Sequence, residues 1–301
     1  MHLRSLQPED TAPVLEMWNA TARFDPLTPG LFEEKTRGDE GFSPELAVVC
    51  VDSDCVRGFA MGVIRDTPDG PRGVVKLLAA AADRRRCGIG SALLRRVEEA
   101  MAGRGVRTIR VCESAPNYLT PGVDCRYSAA PYFFERQGYR RIGEACNMSV
   151  ELSGRAFANP AMEKSFADQG IDLRRARSED REAITTMLSS HWPSWRAEAD
   201  KALENDPVTL FIAVTRAEVL GFAAWDANNR GTGWFGPMGT VEAERGQGIG
   251  RALLFHCLDD MVRGDVNAAI IPWVDPVGFY RQCAGAAVSR VFNRYEKEST
   301  A

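Results

Sequence analysis

Two stretches of this chain place glycine and arginine where an anion could be held. Residues 244–254 read ERGQGIGRALL and residues 84–94 read RRRCGIGSALL, each directly ahead of an apolar, helix-forming run. A strand that ends in such a loop points backbone N–H groups and the positive end of the next helix at whatever lies in the loop. In the second stretch Gly246, Gly248 and Gly250 let the chain approach an anion closely, Arg245 adds charge, and Gln247, Ile249 and Arg251 complete the cradle. Arg85, Gly88 and Gly90 hold matching places in the first. The spacing is not GxGxxG and no GK[ST] follows, so neither a dinucleotide fingerprint nor a Walker loop is present. A glycine turn chosen only for tight packing would explain one copy; its recurrence argues for a ligand.

The elements that must position these loops are themselves duplicated. Residues 3–17 (LRSLQPEDTAPVLEM) lie over 173–187 (LRRARSEDREAITTM), each reading as a strand, a turn and an N-capped amphipathic helix. The offset is 170 residues there and 160 at the glycines, so the first copy carries ten extra residues, expected in loops. Two strands separated by a polar turn follow, then a third strand that feeds the loop: GVVKLLAAAAD in one copy, TGWFGPMGTVE in the other. A helix, a β-branched run, a short helix and a last strand complete each copy. The order β-α-β-β-β-α-β-α-β occurs twice, which predicts an α/β protein with a mixed sheet in each half. The predicted boundaries are a first domain over 1–152, a linker over 153–170 and a second domain over 171–301.

Composition narrows the function classes. With 301 residues the chain suits two domains of about 150 residues. A net charge of −4 argues against a nucleic-acid partner. The eight cysteines form no CxxC pair and the three histidines are scattered, so no metal site is expected. The polar amino terminus and the lack of any membrane-length apolar run predict a cytoplasmic protein with no membrane partner.

The pattern Arg-x-x-Gly-x-Gly, after a strand and before an ALL helix, resembles the acetyl-CoA motif of the GNAT acyltransferase superfamily. The resemblance implies two tandem GNAT-type domains, each a mixed, mostly antiparallel sheet flanked by helices, arranged as a pseudo-dimeric monomer or a homodimer. It implies acetyl-CoA as cosubstrate, with its pyrophosphate on the loop amides. It also implies that exposed backbone groups of the preceding strand hold the pantetheine, which by position are those of Met238 and Thr240 in the second half and Leu78 and Ala80 in the first. Segments such as NYLTPGVDCRY and IIPWVDPVGFY are similar to those of bacterial tandem GNAT proteins, including glucosamine or glucosaminide N-acetyltransferases. That similarity favours an amino sugar or aminoglycoside-like amine as acceptor. The alternatives are an amino-acid conjugate, as in thiol-cofactor biosynthesis, or a non-catalytic acetyl-CoA sensor.

Acetyl transfer needs a proton donor for the departing thiolate, which GNAT enzymes commonly draw from a tyrosine after the fifth strand. Tyr280 in VGFYRQC stands there, whereas the first copy has Phe134. The second half is therefore the expected catalytic one and the first a degenerate copy. Asp226 and Asp275, each after an apolar strand run, are candidates to bind the amine and take its proton; Glu242 beside the cofactor strand is a third. Trp225 and Trp273, each near one of these aspartates, are the candidates for stacking on a sugar face.

Overall fold

In a computed structural model that describes residues 1–299, both copies open with the same clamp. Strand β1 (His2–Ser5) turns through Pro8–Asp10 into helix α1 (Thr11–Thr21), and Arg4 donates two hydrogen bonds of 2.5 and 2.7 Å to the Asp10 carboxylate. One of these oxygens, Oδ2, also caps the turn by accepting from the Gln7 N–H at 2.7 Å. In the second copy Arg174 holds Asp180 in the same way, at 2.6 and 2.8 Å. The clamp fixes the angle at which each first helix leaves its strand.

The chain forms two units, one of Met1–Ala145 with Val291 onward and the other of Cys146–Arg290. In the first, helix α2 (Pro29–Lys35) is followed by β2 (Ala47–Asp52), β3 (Cys55–Thr67) and β4 (Gly70–Ala80). Helix α3 (Ile89–Ala102), β5 (Thr108–Val111), the short β6 (Val123–Asp124), α4 (Ala129–Arg136) and β7 (Arg140–Glu151) complete its run. The sheet order is β1-β2-β3-β4-β5, antiparallel except for the parallel β4–β5 pair. One face is covered by α1 and α2 over Phe59, Met61 and Val49, the other by α3 over Val48, Ala60 and Val75. Alternate residues of each strand supply the two cores, as the pleat requires.

The second unit repeats the plan. Helix α5 (Pro160–Asp168) is followed by β8 (Asp172–Arg175), α6 (Arg181–His191), α7 (Arg196–Glu204), β9 (Leu210–Val214), β10 (Val219–Trp225) and β11 (Phe235–Thr240). Then come α8 (Ile249–Arg263), β12 (Ala268–Ile271), α9 (Val277–Ala284) and β13 (Ala287–Glu298). Its sheet order is β11-β10-β9-β8, with α6 and α7 on one face and α8 on the other.

Two boundaries differ from those expected. The segment 153–170 is no open linker: α5 buries Phe166 in the core under α8. The end of β13 pairs with β5 through Glu296–Glu298, so the last strand of the chain completes the first unit, while Met148–Glu151 of β7 pairs with β12 in the second. The extra residues of the first copy lie partly in the connection that carries α2 and partly in a longer β3–β4 hairpin, so some extend strands rather than loops.

Candidate active site

The two glycine loops have one conformation. In the second unit Arg245 is extended, Gly246 has φ +84° and Gly248, the N-cap of α8, has φ +92°. In the first, Arg85 is extended, Arg86 has φ +64° and Gly88, the N-cap of α3, has φ +83°. Left-handed backbone at Gly248 admits a side chain only at a cost of about 1–2 kcal/mol. Packing is not the reason for glycine there: a Cβ on Gly248 would approach nothing closer than Phe166 at 3.7 Å, and one on Gly246 would meet nothing within 4 Å. Both loops leave the first turn of a long helix, 15 residues in α8 and 14 in α3, open to an anion.

The strand before each loop has one free edge. In the first unit β4 pairs with β5 only from Arg72 to Val75, while β3 follows it to Ala80, so the last residues of β4 part from β5. In the second, β11 meets β12 at a single bridge, Trp234 with Ile270, and the strands separate beyond it. The Val241 N–H donates to Leu220 O and Gly239 lies opposite Phe222, so Met238 and Thr240 alternate to the other edge. Arg245 Nε donates to the Thr240 carbonyl at 3.3 Å, in keeping with that direction. The same reasoning, from Ala81 N–H to Arg57 O and the Gly58–Ala80 register, turns Leu78 and Ala80 to the open edge of β4. Both strands carry a bulge at the mouth of the split, between Met61/Gly62 and Ala223/Trp225 on their partners, a device that re-aims strands beside active sites.

At the bulge the copies diverge. The first puts Lys76 there, fully buried and bonded to Asp39, which Arg65 also grips at 2.7 and 2.8 Å. Burial pulls the Lys76 ammonium down to about 7 against the attraction of Asp39. The second has Gly236 in that place, and a Cβ on it would meet nothing within 4 Å. The bulge thus carries a buried ion-pair cluster in one unit and no side chain in the other.

Tyr280, on α9, packs its ring against Phe235 at the start of β11 (6.2 Å between centroids) and against Phe279 (5.1 Å). Burial, with a smaller contribution from the Cys283 thiol, pushes its phenol up to about 12, so it keeps its proton throughout the neutral range. Its counterpart Phe134 fills an aromatic cluster with Phe133, Tyr139 and Tyr295.

A model of the acetyltransferase (GNAT) family matches residues 12–120 and 173–285, which together make up most of the chain. The chain belongs to the GNAT acetyltransferase family. Its tandem GNAT architecture is similar to three solved structures. A glucosamine N-acetyltransferase region within a fungal multi-domain GH3 β-N-acetylglucosaminidase aligns with a TM-score of 0.83 at 17% identity; the match covers 98% of this chain and 38% of that protein. A GNAT protein of Sphaerobacter thermophilus aligns at 0.73 and 19% identity, covering 100% and 96%. A tandem GNAT protein of the clavulanic acid biosynthesis pathway aligns at 0.71 and 17% identity, covering 100% and 99%. No curated protein matches the sequence.

Within this GNAT enzyme the remaining sequence-derived candidates separate. Gln247 donates to Glu244 at 2.8 Å on the loop surface, Ile249 is buried beneath it, and the Arg251 guanidinium lies over the Phe255 ring at 5.1 Å. Asp226 accepts the Gly231 N–H at 2.6 Å in the β10–β11 turn. Trp225 donates its indole N–H to Asp260 of α8 at 2.9 Å, and so lies on the α8 face rather than in a sugar pocket. Trp273, with φ +45°, donates its backbone N–H to Asn147 in the loop before α9. Asp275 is exposed in the same loop and makes no side-chain cap to α9; Glu242 is exposed in the turn after β11. Sequence reasoning missed Lys76, Gly236 and Trp192, whose ring lies against Gly239 of β11. Laying the two copies over each other residue by residue would have exposed all three, because each differs sharply from its counterpart.

Among the described residues no group of three or more His, Cys, Asp or Glu is placed to hold a metal ion. Likewise, no helix among them is long and apolar enough to cross a membrane.

Proposed function

We propose that the second unit transfers the acetyl group of acetyl-CoA to the primary amine of a small molecule, with an amino sugar the favoured acceptor. The observation that carries this reading is the set of differences between otherwise superposable sites. The second unit has Gly236 where the first has buried Lys76, and Tyr280 where the first has Phe134.

The residues suit the cosubstrate. The amides of 246–250 and the N-terminus of α8 would take the pyrophosphate, with Arg245 adding charge. The edge groups of Met238 and Thr240 would bond the pantetheine arm as a further strand would. When bound, the cosubstrate supplies an activated acetyl thioester. The chain then has to admit an unprotonated amine, hold it against the thioester carbonyl, and provide a proton as the thiolate departs. Tyr280 keeps its proton at neutral pH and its ring is fixed against Phe235 at the start of β11, and we assign its hydroxyl to supplying that proton. Asp275, exposed ahead of α9, is the carboxylate we assign to receiving the proton of the amine.

The amino-sugar preference draws on the fungal glucosamine N-acetyltransferase region, which shares the architecture over 98% of this chain. The test is an acetyl-CoA consumption assay over glucosamine, aminoglycosides, polyamines, amino acids and peptide amines. Turnover on glucosamine or a related amino sugar is expected. Tight coenzyme A binding with no turnover on any amine would replace the reading with a non-catalytic binding module.

A further inference from the structure

Helices α1 and α6 end alike: the cap residue donates its N–H to the carbonyl four residues back, Ala22 to Trp18 and Trp192 to Leu188. The cap in the first unit is therefore alanine where the second has tryptophan. On the cofactor strands a matching change has occurred. Ala79 lies opposite Phe59 on β3 and Gly239 opposite Phe222 on β10, so these positions also correspond. A Cβ on Gly239 would stand 2.8–3.0 Å from the ring atoms of Trp192. The glycine makes room for the indole, so an Ala–Ala pair in one copy has become a Trp–Gly pair in the other. Three residues beyond the cap the first unit has Asp25, and the second has Trp195, stacked on Trp192 at 5.6 Å and 23°. Both indoles stay partly exposed, while the core behind them is filled by Phe222 and Leu188.

Gly239 sits between Met238 and Thr240, whose backbone groups face the free edge of β11. An indole lying on Gly239 is therefore beside the strand assigned to the thioester arm. A cavity of about 610 Å³ runs along one side of α6 from Glu182 to His191, with Val241 on its far wall; the indoles themselves do not line it, and it comes nearest to them at His191, whose ring is 5.4 Å from that of Trp192. Glu179, Glu182, Glu218 and Glu244 give that cavity a negative lining.

Resting on the function proposed above, we infer that the Trp192–Trp195 stack is the acceptor wall, selecting a cationic sugar ring over an acyclic amine. The apolar C–H face of a pyranose lies against the indoles, and the carboxylates of the cavity along α6 give the approach to them a negative field that favours a cationic acceptor. The wall acts by positioning the ring and takes no proton.

Steady-state kinetics of the full chain test this with glucosamine and ethanolamine as acceptors, using Trp195→Ala, which leaves the Gly239 contact intact, and Trp192→Phe. Stacking of this kind corresponds to about a 2- to 12-fold change. The KM for glucosamine should rise by that factor in Trp195→Ala, with the KM for acetyl-CoA and the kinetics on ethanolamine unchanged. Trp192→Phe should retain part of the preference. An unchanged glucosamine KM, or a KM for acetyl-CoA that rises instead, would overturn the wall and leave the indoles as support for β11. If the wild type turns over neither amine, the function reading fails. Tryptophan fluorescence titrated with glucosamine then decides the wall by itself: quenching lost in Trp195→Ala supports it, and no quenching in the wild type overturns it.

Discussion

Replacing Gly248 with alanine separates a glycine kept for its turn from one kept for a ligand. The new Cβ stands 3.7 Å from Phe166, an ordinary contact, so no overpacking is expected. The φ of +92° remains, and holding alanine there costs about 1–2 kcal/mol, which lowers the melting point by a few degrees. Any relaxation towards negative φ turns the loop amides away from the pyrophosphate. Losing one hydrogen bond to a charged group costs about 1.5–3 kcal/mol, or roughly a 12- to 150-fold rise in the KM for acetyl-CoA. The same change at Gly88, where φ is +83° and nothing approaches within 4 Å, should carry the same stability cost with no effect on turnover. Initial rates across acetyl-CoA concentration, with thermal melts of both variants, give the comparison. A Gly248→Ala enzyme with wild-type KM and a lowered melting point would refute the anion cradle and return the glycine to turn geometry.

Arg86, with φ +64° where the second loop has glycine, is a strained position; Arg86→Gly should be neutral or stabilise by up to about 1 kcal/mol in urea melts, with turnover unchanged. Asp39→Asn leaves the buried Lys76 without its counter-charge and should cost about 3–5 kcal/mol, whereas Lys76→Met leaves Asp39 with Arg65 and should cost less. Acid stability follows from Asp10, Asp39 and Asp180. Burial opposes ionisation in all three, yet in Asp10 and Asp39 the hydrogen bonds and charges of Arg4, or of Arg65 and Lys76, outweigh it, and in Asp180 the bond from Arg174 is the leading cause. All three are therefore held below the usual carboxylate value of 3.8. The unfolded chain binds these protons first, so the stabilisation is complete above about pH 5 and is lost as pH falls through 3.8 towards the folded values. Urea midpoints between pH 3 and 6 should fall steeply in the wild type and less steeply in a variant lacking Asp180; equal slopes would remove the clamp from the account.

Much of the fold was legible because each copy states it independently. Apolar alternation located β2 to β5 and β9 to β12, and the matching glycines fixed the strand-to-helix turns. What could not be read was partner choice at long range. Nothing local in 296–298 says that these residues pair with β5. The strand edges were legible: the backbone groups of Met238, Thr240, Leu78 and Ala80 all fall on the free ones. The site was misread where it depends on which face a side chain takes. Trp225 follows a bulge in the β10–β11 pairing, and a one-residue slip reverses the faces of a strand. That slip helps to explain why an indole beside a strand-end aspartate turned out to bond Asp260 on the α8 side. Trp192 was legible only in contrast with Ala22, since its meaning lies in the space that Gly239 leaves.

The central claim, that acetyl transfer takes place in the second unit with Tyr280 as proton donor, is tested most directly by Tyr280→Phe. The ring keeps its contacts with Phe235 and Phe279, so the fold should hold. Measured with saturating amine, and with coenzyme A binding followed by calorimetry, kcat should fall about 10²- to 10⁴-fold while the affinity for coenzyme A stays within twofold of wild type. Wild-type kcat in that variant would contradict the account and leave Tyr280 as a packing residue of α9.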